Sequence, residues 1–124
     1  MRVFKTRWFN RWASKEKLND RALIKAIEEM EAGLVDADLG GNVYKKRVAL
    51  PGRGKSGSVR TIVAYRIEDK AFYMYGFAKK KRANIDDEEL KVFRVVAKEL
   101  LGHDDKKLDH LINKEELFEV LSDE

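Results

Sequence analysis

The sequence has no cysteine, which excludes disulfides, cysteine-ligated zinc and thiol nucleophiles. One proline and two histidines are too few for a proline-rich docking segment or a histidine-rich metal site, and no metal or other cofactor is expected. The longest apolar run is AFYMY at 71–75, far short of the roughly 20 residues a membrane-spanning helix needs. The opening MRVFKTRWFNRW interleaves charge with aromatics and lacks the apolar stretch of a secretory signal. A cytoplasmic chain without a membrane partner is the expectation. Acid is also missing from one place in particular: between 42 and 82 the only acids are Glu68 and Asp69.

What remains is sufficient for one core. The chain has 124 residues, 44% hydrophobic, with six Phe, four Tyr and two Trp. A domain of this size buries roughly two-thirds of its unfolded surface and needs no staples. The net charge of +4 hides a strong segregation. Residues 1–34 carry net +3 and residues 35–41 net −2. Residues 42–82 carry twelve Lys and Arg against two acids, net +10, and residues 83–124 carry net −7. A field of that strength has a polyanion as its default partner, most often nucleic acid. The competing reading is a solvated strand face with the acidic tail as its counter-charge.

The periodicity predicts a short strand at 2–6. A helix with Trp8, Phe9 and Trp12 on one side follows, then a second helix with the stripe Leu23, Ile24, Ile27, Met30, Leu34. Asn19 is a plausible cap for the second helix, and Gly33 lies near its end. LGGN at 39–42 reads as a turn. Strand-like runs follow at 43–50, 58–67 and 71–78, the last two joined by the tight turn Glu68-Asp69-Lys70. Asp86 and Glu89 form a capping box with Ile85 and Leu90 as a hydrophobic staple, opening a helix that Gly102 stops. A last helix is expected over about 106–121, from Leu108, Leu111, Ile112, Phe118 and Leu121. The order β-α-α-β-β-β-α, with an extra C-terminal helix, reads as an α+β fold of two layers. A small mixed, mainly antiparallel sheet is flanked by helices. Residues 1–103 are expected to form the domain, and 104–124 a helical extension packed on it.

PGRGKS at 51–56 invites a phosphate-loop reading, but the first glycine of that motif would stand at Ala49. The segment also runs into a strand, whereas a phosphate loop must open a helix. A basic loop touching a sugar-phosphate backbone fits better. His103 and His110 stand outside any constellation and read as surface residues. Strict alternation puts Lys45 and Arg47 on one face of their strand, with Arg60 on a face of the next. It also puts Tyr73, Tyr75 and Phe77 on a common face, which reads first as core. Cations resist unpaired burial, so Lys45, Arg47 and Arg60 must meet solvent, an acid or a ligand.

The run YKKRVALPGRGKSGSVRTIVAYRIEDKAFYMYGFAKKKRANIDDEEL resembles the RelE/HigB toxins of bacterial type II toxin–antitoxin systems, the HigB-like branch in particular. The resemblance covers roughly residues 2–101 and implies a RelE-like fold. It also implies a ribosome-dependent endoribonuclease that cuts mRNA in the A site and inhibits translation. The implied partners are the ribosome, mRNA and a neutralising antitoxin, usually a helix-turn-helix protein encoded next door. The family's basic catalytic positions fall on Lys45, Arg47, Arg60 and Lys79 or Lys80. The tyrosine that some members carry beyond that segment has no counterpart in Asn84-Ile85-Asp86. Lys81 stands where a small polar residue is more usual.

On this reading the RNA supplies its own nucleophile, the 2′-OH, and the protein supplies geometry, charge and a proton route. Arg60 is expected to clamp the scissile phosphate, since a guanidinium binds it bidentately. Lys80 is expected to stabilise the developing charge or the leaving oxygen, and Lys45 to serve as base. Arg47 completes the catalytic cluster. Arg53, Lys55, Lys79, Lys81 and Arg82 are expected to hold nucleic-acid backbone. Two other readings compete: a ParE-like inhibitor of DNA gyrase on the same fold, and a non-catalytic basic nucleic-acid-binding module.

Overall fold

The opening run RVFKT forms strand β1 (Arg2–Thr6), and Thr6 then starts the first helix. Its side-chain oxygen accepts the Phe9 N–H at 3.3 Å, opening α1 (Arg7–Glu16). Lys17, with a left-handed φ of 59°, turns the chain into α2 (Asp20–Glu31). Asn19 caps α2 as expected, accepting the Ala22 N–H at 2.9 Å. Leu34, read as the end of this helix's stripe, lies beyond its last turn and is exposed. Strands β2 (Ala37–Asp38) and β3 (Val43–Ala49) flank the LGGN turn, in which Gly40, Gly41 and Asn42 all have positive φ. β4 (Ser58–Arg66) and β5 (Lys70–Phe77) form the predicted hairpin, with Glu68 left-handed at its tip. α3 (Asp87–Leu101), α4 (Asp105–Asn113) and β6 (Leu117–Glu119) complete the chain. The computed structural model describes residues 1–50, 52 and 57–121.

The six strands form one open sheet in the order β2-β3-β4-β5-β1-β6. Among the described residues only β1 and β5 pair in parallel; the other neighbours are antiparallel. This is the expected α+β fold, but helices on both faces make the sheet the middle of three layers where two were expected. Against one face, α1 and α2 bury Phe9, Leu23 and Ile27 on Val59, Val63 and Tyr73. Against the other, α3 and α4 bury Ala97, Leu100, Leu101 and Leu108 on Phe4, Ile62 and Phe72. No helix among the described residues is long and apolar enough to cross a membrane.

Two further expectations are corrected. The last helix does not run over 106–121: it ends at Asn113, and Leu117–Glu119 is a strand on β1. Glu115, with a left-handed φ of 58°, reverses the chain, and the apolar residues beyond it serve a sheet edge. The second correction concerns the aromatic row of β5. Ile62 pairs with Tyr75 but Val63 pairs with Tyr73, so Met74 is the extra residue of a β-bulge. The bulge puts Tyr73 in the core under α1 and α2, its hydroxyl donating to the Leu23 carbonyl at 2.7 Å. Tyr75 and Phe77 are left on the opposite face.

Candidate nucleic-acid interface

The pairing of β3, β4 and β5 fixes the cationic face. Arg47 lies directly opposite Arg60, which in turn lies opposite Phe77. One step along the same face, Lys45 lies opposite Ile62, which lies opposite Tyr75. Lys45, Arg47 and Arg60 therefore share one face, alongside Tyr75 and Phe77. Lys46 alternates to the other face, where it is buried and pairs with Glu29 at 2.8 Å, so its role is structural.

Two arginines directly opposite each other repel, and like charges in that position destabilise a sheet. The counter-charge is Asp36, which sequence reasoning missed. Its Oδ2 lies 3.7 Å from Arg60 Nε, and its Oδ1 accepts the Arg47 backbone N–H at 3.1 Å. The Asp36 N–H donates to the Lys45 carbonyl at 2.9 Å, which fixes the carboxylate at the rim of the cationic face. A signal for this was available. A tight turn at 39–42 sends β3 back along the segment before it, so residues 36–38 must lie beside 44–47. The Arg60 side chain is 17% exposed and also reaches Ser58 Oγ at 3.5 Å. Arg47 is exposed and Lys45 is half-buried.

Beyond Phe77 the chain leaves the sheet in a turn that exposes Lys79, Lys80 and Lys81. None of the three has an acidic partner among the described residues. They flank the end of the Arg47–Arg60–Phe77 row. Arg82 is placed differently. Its Nη1 donates to Glu89 at 2.9 Å and to the Tyr75 hydroxyl at 3.1 Å, and its guanidinium lies 5.8 Å from the Tyr75 and Phe77 ring centres. Hydrogen bonds from Arg82, then from the Asp86 backbone, hold the Glu89 carboxyl down at about 2. Glu89 thus joins the expected capping box to the end of the strand: its own N–H donates to Asp86 Oδ1 at 2.8 Å. Arg82 locks the basic turn onto α3, and the three lysines before it are the exposed cations. Arg53 and Lys55 lie outside the described residues. The base of their loop is closed by the Leu50 N–H on the Gly57 carbonyl at 3.2 Å.

The arrangement is a cationic face with one carboxylate at its rim, bordered by an exposed lysine turn and an aromatic cluster. Such a face holds a phosphodiester by charge and by forked hydrogen bonds. Compared with known protein families, residues 1–120 match the model described as the RelE toxin of the RelE / RelB toxin–antitoxin system. Neither the curated proteins nor the solved structures include a match.

Proposed function

The chain belongs to the RelE family of toxin–antitoxin toxins, with a cognate antitoxin as its partner, and from that premise we propose that it is a ribosome-dependent endoribonuclease that cuts mRNA in the A site. The observation that supports this most is the register Lys45–Ile62–Tyr75 beside Arg47–Arg60–Phe77, which gathers three family-type cations on one face. Membership of the HigB-like branch, and a helix-turn-helix antitoxin, belong to the same proposal and rest on the motif resemblance.

In the proposed reaction the 2′-oxygen attacks the adjacent phosphorus and the P–O5′ bond breaks. A cyclic 2′,3′-phosphate and a 5′-hydroxyl result. Arg60 holds the non-bridging oxygens as negative charge builds on them, which is where preorganised donors contribute most. Lys45 takes the 2′ proton and Lys80 gives one to the departing 5′-oxygen. Arg47 steadies the phosphate from the neighbouring strand. Lys79 and Lys81, with Arg53 and Lys55, hold flanking backbone. Asp36 occupies the Arg60 seat in the free protein and gives it up to the phosphate.

The test is cleavage of a defined mRNA by the purified chain, with and without translating ribosomes, with 5′ ends mapped. Cuts only with ribosomes, at A-site codons, are expected. Lys45→Ala and Arg60→Ala should each lower the cleavage rate by at least about a hundredfold while ribosome binding persists. Normal cleavage by both variants sinks the assignment. No cleavage at all, with gyrase blocked instead, favours the ParE-like reading.

A further inference from the structure

Trp8 is the aromatic residue that neither core nor cap accounts for. It lies in the first turn of α1, 47% exposed, while Phe9 next to it is fully buried. Its ring stacks on Tyr75 at 4.5 Å between centres, with an interplanar angle of 27°. Trp12 backs it at 6.1 Å, and Tyr75 is in turn held by Phe93 at 5.6 Å and by the Arg82 hydrogen bond. The exposed ring is therefore rigidly supported. It is also set among cations. Arg11, three residues along the helix, is its surface neighbour, and Arg7 precedes it; both are exposed and have no acidic partner among the described residues. Tyr75 stands on β5, one strand spacing of roughly 5 Å from the strand that bears Arg60, and Trp8 stacks on it at 4.5 Å. That span suits neighbouring nucleotides of one strand.

We propose that Trp8 is a stacking platform for an unpaired base of the RNA strand whose phosphate lies on Arg47 and Arg60, with Arg11 as that nucleotide's phosphate contact. This rests on the RNA reading above and adds a base-binding subsite to it. Every base has a π-face, so the platform orders the strand without choosing a sequence.

The test uses the full chain and a 2′-O-methyl hexanucleotide, which lacks the nucleophile and stays uncut. Trp8 and Trp12 are the two tryptophans, so stacking is read directly as fluorescence quenching, and Trp8→Phe identifies the responding ring. Trp8→Leu should weaken binding about tenfold with an unchanged salt slope, and Trp8→Phe should recover most of the loss. Arg11→Ala should lower the salt slope by about one contact. An abasic nucleotide moved along the oligonucleotide should abolish quenching of the wild-type protein at one position, a result that needs no variant. If the wild type binds with a normal salt slope while Trp8→Leu binds equally well, or quenching is the same at every abasic position, the platform is refuted and the RNA reading stands. If the wild type does not bind at low salt, the platform falls, and the RNA reading is decided separately by the ribosome cleavage assay.

Discussion

Asp36 sets the resting state of the cationic face. Its carboxylate offsets the repulsion between Arg47 and Arg60 and lies where the reaction proposed above puts the phosphate. Asp36→Asn should tighten salt-dependent RNA binding several-fold, because a competitor is removed. The same change should lower the melting temperature by about 2–4 °C, because the two arginines lose their counter-charge. Filter binding and thermal melts on the same preparation check both; weaker RNA binding would show instead that Asp36 positions Arg60. Glu89 makes a prediction in pH. Its carboxyl is depressed from the usual 4.5 to about 2 by Arg82, so the folded state binds fewer protons than the unfolded chain. Stability from this group is complete above pH about 4.5 and is lost as pH falls through 2. Glu89→Gln should therefore flatten the acid limb of melting temperature against pH between those values, and leave its shape near neutrality unchanged.

At the scale of elements, α1 approaches β5 closely. The Trp12 ring lies over Gly76, and a β-carbon placed there would run into its Cζ3. Gly76→Ala should cost about 2–3 kcal/mol by overpacking, and Trp12→Leu should recover part of it in the double variant, measured by denaturant unfolding. The elements legible in the sequence are those whose signals are local. The Asp86–Glu89 box, the Asn19 cap, the 68–70 turn and the long β-branched runs each carry their cause within a few residues. What was not legible depends on a partner far along the chain. Leu117–Glu119 is a strand because β1 offers it an edge, and in isolation its apolar residues continue a helical stripe. The Met74 bulge is invisible to a two-residue period, since nothing in YMYGF says where the register slips. The cationic cluster on β3 and β4 was readable because alternation alone places Lys45, Arg47 and Arg60. Trp8 lies on a helix and joins that face only through tertiary packing, whereas Asp36 is brought there by the local 39–42 turn.

At the scale of the molecule, Arg2 gathers three acids of the C-terminal part onto β1. Arg2 donates to Glu119 at 2.9 Å, to Asp105 at 3.0 Å and to Asp109 at 3.0 Å, linking β1 to β6 and to α4. These hydrogen bonds, that to Glu119 first, raise the Arg2 pKa well above its ordinary value. Arg2→Ala should speed amide exchange in α4 and β6 about tenfold or more, while β3–β5 keep their protection. Raised salt should mimic the effect weakly in the wild type. Uniform loss of protection would show instead that the tail and the sheet unfold as one unit.

The place of β1 in the sheet also sets a clock. Phe4 pairs with Phe72, 68 positions later, and β1 closes on β6 only after Leu117. At roughly 5–20 residues per second, a growing chain waits several seconds between making β1 and making its first neighbour. During that interval Val3 and Phe4 have no strand to cover them, and α1 has no β5 on which to seat Trp12. The β3–β4 pair that bears Lys45, Arg47 and Arg60 is made before β5 and needs no such wait. The newborn chain therefore displays its charged surface before its support is finished, and that is the stage at which a binding partner meets it softest.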